Sequence, residues 1–82
     1  MNNEEFLIEY ITKDITEYLM SDEGLEMQDA LRFIYNSDTY SKLMDKDTGL
    51  YTQSSGYVYE LLKAEYHLGK LPFKEESISS PQ

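Results

Sequence analysis

Several things are missing from this chain, and each absence removes a class of function. There is no cysteine in its 82 residues, so no disulfide can support the fold, and a reducing compartment suits it. There is one histidine, His67, so a His/Cys metal site lacks ligands. His67 has no serine near it, and no G-x-S-x-G elbow occurs, so the triad needed for nucleophilic catalysis has no sequence signature. Positive charge is scarce: seven Lys and Arg face sixteen Asp and Glu, a formal net charge of −9. Such a chain repels phosphate backbones, which disfavours nucleic acid as a partner. Long hydrophobic runs are missing too. "FLIEYI" is interrupted by charge, and no stretch approaches the ~20 apolar residues of a membrane span. "MNNEEF" lacks the basic region of a signal peptide. These features lead us to expect a cytoplasmic protein with no membrane association.

What is present is helical patterning. Helix 1 is expected from Glu4 to Met20, with Asn2 or Asn3 as its cap and Glu4 and Glu5 against the positive end of its dipole. Leu7, Ile8, Ile11, Ile15, Tyr18 and Leu19 share an arc of about 120°, the expected core face. Phe6, Tyr10 and Met20 fall nearly opposite, beside Lys13 and Glu17. Helix 2 is expected over 26–35, with Met27, Ala30, Leu31, Ile34 and Tyr35 on one face. A short helix 3 follows over 38–44, capped by Ser37, with Tyr40, Leu43 and Met44 turned inward. Helix 4 runs from Gly56 to Leu68, with Ser54 or Ser55 as N-cap and Gly69 as the left-handed stop. It is apolar nearly all round, so it belongs at the centre. No stretch alternates with period two, and "GLYTQ" is at most a short extended segment. The expected architecture is therefore all-α, a small irregular bundle of three main helices plus one short one. Residues 1–71 form the domain and 72–82 a tail.

The stretch most suggestive of chemistry is "DKDTGLYTQSSGYVYELL", residues 45–62. It begins like a calcium loop. An EF-hand needs oxygen ligands at positions 1, 3 and 5, glycine at 6 and glutamate at 12. Counting from Asp45, position 5 is Gly49, position 6 is Leu50 and position 12 is Gly56. The loop is read instead as a turn, with Gly49 free to adopt positive φ and Leu50 and Tyr51 dropping into the core. No metal, no cofactor and no catalytic residue is assigned.

Two other features invite a functional reading. Glu65 projects between Leu61 and Val58 on the apolar arc of helix 4. A buried carboxylate needs a partner, and Arg32, the only arginine, or a tyrosine hydroxyl is the expected one. The second feature is charge placement. Residues 1–29 hold nine acids and one base, while residues 30–82 hold seven acids and six bases. Either this acidity keeps the chain soluble, or it forms a docking face for a basic partner. Phe6 and Tyr10, flanked by Glu9 and Glu17, either have the layout of an aromatic anchor within a charged rim or merely cover the returning "KLPF" segment, residues 70–73. Of the eight tyrosines, Tyr18, Tyr35, Tyr51 and Tyr57 are expected at the edge of the core, and Tyr10 and Tyr59 exposed. The charge of residues 1–29 is not expected to be needed for folding.

Residues 30–65 carry Ser37, Tyr40, Leu43, Thr48-Gly49-Leu50-Tyr51, Gln53-Ser54 and the run from Tyr57 to Glu65. Over this span the chain resembles a family of small uncharacterised bacterial helical proteins, a domain of unknown function encoded near small, some toxin-like, genes. The resemblance implies an antitoxin-like or partner-binding role and transfers no catalytic residue. The reading is thus a non-enzymatic, acidic, protein-binding module for a partner with a basic surface. The alternative is a structural domain that forms a homodimer through Phe6 and Tyr10.

Overall fold

Two serines set the starting points of helices. Ser37 and Ser54 both lie in extended backbone, and each hydroxyl accepts the amide of the residue three further on, from Tyr40 at 3.0 Å and Tyr57 at 3.1 Å. Each gives an acceptor to a helix amide that would otherwise have none. The computed structural model describes residues 3–69. They form α1 (Asn3–Glu23), α2 (Met27–Tyr35), α3 (Asp38–Met44) and α4 (Ser55–Leu68), with two 3₁₀ turns, Lys46–Thr48 and Leu50–Thr52, between α3 and α4. No strand occurs among the described residues, so the all-α class holds. At nine residues α2 is only slightly longer than the seven-residue α3. Asn2, the expected boundary at 71 and the tail 72–82 lie outside the described residues.

The turn reading of the 45–49 loop fits the geometry. The Asp45 carboxylate accepts the Asp47 amide at 3.0 Å, Thr48 Oγ1 donates to the Lys42 and Asp45 carbonyls, and Gly49 takes φ of 71°. Leu50 is buried and Tyr51 packs against the core. "GLYTQ" forms a 3₁₀ turn rather than an extended segment. At the far end of α4, Gly69 takes φ of 82°, and its amide donates to the Glu65 carbonyl at 2.7 Å.

The core forms where α1 supplies Ile8, Ile11, Ile15 and Leu19 and α4 supplies Val58, Leu61 and Leu62. Ala30 and Ile34 of α2 and Leu43 of α3 close it. The helical wheel misplaces several neighbours of these residues. Leu7 and Tyr18, expected inside, are exposed, while Thr16 is buried. Thr16 tolerates burial because its hydroxyl donates to the Thr12 carbonyl at 2.7 Å. Tyr59, expected outside, is only 6% exposed. Its hydroxyl donates to Asp22 Oδ2 at 2.6 Å, and its ring meets Tyr18 edge-on with centroids 5.3 Å apart.

The acids of α1 need a further correction, because four of them join the helix to the second half of the chain. Asp14 Oδ2 accepts from the Ser55 hydroxyl at 2.6 Å, beside the start of α4. Asp22 receives Tyr59, and Glu23 lies 2.9 Å from His67 Nε2 in the last turn of α4. Glu4 accepts from the Tyr51 hydroxyl at 3.2 Å and lies 3.4 Å from Lys46 Nζ. Part of the negative charge of α1 therefore serves the fold.

Glu65 is buried as expected, at 8% exposure, but its partner is neither Arg32 nor a tyrosine. One oxygen accepts the Asp38 amide at 2.8 Å. The other accepts the Thr39 amide at 2.9 Å and the Thr39 hydroxyl at 2.8 Å. The carboxylate from α4 thus sits on the first amides of α3, where backbone N–H groups lack intrahelical acceptors and the helix dipole favours negative charge. Arg32, in contrast, is exposed and forms an ion pair with Asp29 at 2.8 Å.

Two outcomes follow from these contacts. Glu65→Ala leaves three donors without their acceptor and should cost roughly 2–4 kcal/mol in urea unfolding. A cost below about 0.5 kcal/mol would contradict the assignment. The Tyr59 hydroxyl is pushed well above the usual tyrosine value of 10.0 by burial, then by its hydrogen bond to Asp22 and the surrounding acids Asp22, Glu23 and Glu60. A raised folded-state pKa gives stability that is fully present below about pH 10 and lost as pH climbs toward the folded value. Tyr59→Phe should therefore be less stable than the native chain at pH 7 and should lose less stability between pH 9 and 12, measured by urea midpoint.

Candidate functional site

The side of α1 turned away from α4 carries two ladders of residues one turn apart. Ile8, Thr12, Thr16 and Met20 form a floor, and Glu5, Glu9, Lys13 and Glu17 form the rim beside it. Across from them α2 contributes Met27, Leu31 and Tyr35, again at four-residue intervals. Tyr40 and Met44 of α3 extend this second wall, and Lys46 closes the end. The space between is an open groove of about 750 Å³. That volume lies within the range of small-molecule and peptide sites.

The groove is apolar where core-like contacts would be expected. Met27, Tyr35 and Met44 were all assigned inward by helix periodicity, yet they are 58%, 54% and 49% exposed. They do lie on the inner arcs of their helices, but among the described residues no further helix covers those arcs. Three of the chain's four methionines line this one surface. Methionine is flexible and polarizable, and it serves surfaces that adapt to apolar side chains of differing shape. Tyr35 and Tyr40 stack edge-on with centroids 5.1 Å apart, which stiffens the wall where α2 gives way to α3.

The electrostatics of the groove are negative. The Tyr40 hydroxyl is held above the usual tyrosine value by burial, then by Tyr35 and by the charge of Glu9. Both rim lysines face acids of their own chain: Lys13 lies 3.3 Å from Glu17 and Lys46 lies 3.4 Å from Glu4. Glu9 makes no ion pair among the described residues. The rim therefore offers acceptors to an incoming base.

Sequence reasoning singled out Phe6, Tyr10, Glu9 and Glu17. Glu9 and Glu17 line the groove. Phe6 and Tyr10 are well exposed, at 59% and 55%, but do not line it. Met20, Met27, Leu31, Tyr35, Tyr40 and Met44 were not named as a site. The signal for them was present as the i, i+4, i+8 series of α2, but a wheel does not show whether an apolar arc is covered. Glu65 and Arg32 lie elsewhere and are not lining residues. Among the described residues no group of three or more His, Asp or Glu side chains converges as a metal would require. None of the described helices is long and apolar enough to cross a membrane. No family model, no curated protein and no solved structure matches the chain.

If the groove is surface rather than interior, its exposed methionines, Met27 and Met44, are dispensable for folding. Met27→Gln and Met44→Gln should each change stability by less than about 0.5 kcal/mol, whereas Leu43→Ala, at a fully buried position, should cost about 2–5 kcal/mol. Urea unfolding of the three variants is the check. A methionine variant as costly as Leu43→Ala would mean that the groove is closed in solution.

Proposed function

We propose that this chain is a non-enzymatic protein-binding module that docks a basic partner on the α1–α2–α3 face. The observation that carries the reading is the groove, open between apolar side chains of α1, α2 and α3 and bordered by Glu5, Glu9 and Glu17 beside Lys13 and Lys46. An open groove lined by apolar side chains with a few polar groups at its edge is the default place to look for a binding site. The net charge of −9 adds long-range attraction for a basic protein, which speeds association and rejects acidic competitors. Phe6 and Tyr10 adjoin the rim and would widen the contact. Regulation or neutralisation of the partner by covering its basic surface is the role such a module would fill.

A homodimer through Phe6 and Tyr10 is the competing reading, favoured by the exposure of both rings. The charge opposes it, since two copies, each with a net charge of −9, repel one another.

The test uses the native chain and a Met27→Glu/Met44→Glu variant as baits in an extract of the source cell. One basic protein should be retained by the native chain, released progressively between 0.05 and 0.5 M salt as screening tightens, and not retained by the variant. Equal retention by both baits would overturn the groove as the docking face. Sedimentation showing a dimer at micromolar concentration would favour the competing reading.

A further inference from the structure

The groove also bears on the shape of its occupant. We infer that it receives a single basic amphipathic α-helix of three to four turns, supplied by the partner. This rests on the protein-binding reading and narrows it.

Backbone hydrogen bonding is the first argument. An extended peptide brings unpaired N–H and C=O groups, which need partners once they leave water. The floor has few to give. The hydroxyl protons of Thr12 and Thr16 are already committed to the carbonyls of Ile8 and Thr12, both at 2.7 Å. The walls are helices, whose backbone groups are used internally, and no strand edge exists among the described residues for a peptide to extend. A helix arrives with its own backbone satisfied and needs only apolar contact.

Spacing is the second argument. The floor ladder from Ile8 to Met20 covers twelve residues of α1, about 18 Å at the helical rise. Met27, Leu31 and Tyr35 repeat with the same interval on the opposite wall. Ridges at four-residue spacing on both walls accept side chains at i, i+3 or i+4, and i+7 of a third helix. Such a helix would complete the bundle by covering the arcs that Met27, Tyr35 and Met44 leave open.

Charge is the third. The rim holds Glu5, Glu9 and Glu17 against Lys13 and Lys46, and Glu17 and Glu4 already answer those two lysines. Lys or Arg flanking the apolar stripe of the incoming helix would meet Glu9 and the rest of an acidic protein. A second copy of this chain would bring the opposite sign. The partner is thus a protein with an exposed or unfolded segment of about a dozen residues, apolar on one face and basic on the other.

The probe is a 16-residue peptide of leucine and lysine with leucines at helical spacing. Two controls accompany it: the same composition with alternating leucines, and a leucine–glutamate peptide at helical spacing. Binding is followed on the full chain by the ¹³C-labelled methionine methyl signals. The helical Leu/Lys peptide should shift Met20, Met27 and Met44 saturably. The alternating peptide should bind at least about tenfold more weakly and the Leu/Glu peptide should not bind, since each lacks one of the two required features. Met27→Glu/Met44→Glu should abolish the response, with helical circular dichroism unchanged. Equal binding of the alternating peptide overturns the helical occupant, even where the extract experiment has already shown a groove-dependent partner. Binding that leaves the three methyls unmoved places the contact elsewhere and overturns the site, as does no binding. If the methyls shift with protein concentration alone, or on removal of residues 70–82, the occupant is a second copy or the chain's own terminus, and the proposal fails.

Discussion

The shape of this domain depends on one carboxylate placed on the end of one short helix. A helix as short as α3 is unstable alone, because nucleation is costly and only a few hydrogen bonds follow. Ser37 supplies one acceptor to its first turn, and Glu65 supplies acceptors to the Asp38 and Thr39 amides and the Thr39 hydroxyl. Burial makes this arrangement demanding. A carboxylate removed from water is costly without donors, and amides removed from water are costly without acceptors. Each resolves the other, so α3 and α4 are fixed in one relative position. Leu43 can then reach the core, and Tyr40 and Met44 are set in the wall of the groove.

The second constraint is the number of helices. Among the described residues, four helices leave part of α1, between α2 and the start of α3, uncovered. On the covered side, Asp14, Asp22 and Glu23 hold α4, and Glu4 holds the 3₁₀ turns. On the open side, Met27 and Met44 remain exposed, and Thr12 and Met20 are half-buried. On the proposed reading, that open face is what the partner covers. Part of the acidity of α1 is thus structural, and part borders the groove.

The helix ends could be read from the sequence because their chemistry is local. Ser37, Ser54 and Gly69 act within three or four residues of their positions in the chain, and all three do what their spacing implied. Glu65 was conspicuous as a polar residue on an apolar arc. Its partner was not legible, because that partner is backbone, and a search among side chains finds Arg32 instead. Tyr59 and Tyr18 were transposed for a similar reason. Which of two tyrosines is buried depends on where Asp22 stands to receive a hydroxyl across the α1–α4 interface. The groove was illegible because periodicity identifies an apolar arc without showing whether anything lies against it. Met27, Tyr35 and Met44 fall on the expected arcs, and among the described residues those arcs are uncovered.

The account makes Glu65 the fastening of α3, and through it of one wall of the groove. Native-state hydrogen exchange reads this residue by residue. In the native chain the Asp38 and Thr39 amides should be protected nearly as well as the core of α4, although they are first-turn amides with no intrahelical acceptor. In Glu65→Gln that protection should fall, and the amides of Tyr40 to Met44 should lose protection with it, while those in the middle of α1 keep theirs relative to global unfolding. Fast exchange at Asp38 and Thr39 in the native chain, or a substitution that leaves α3 as protected as before, would contradict the account.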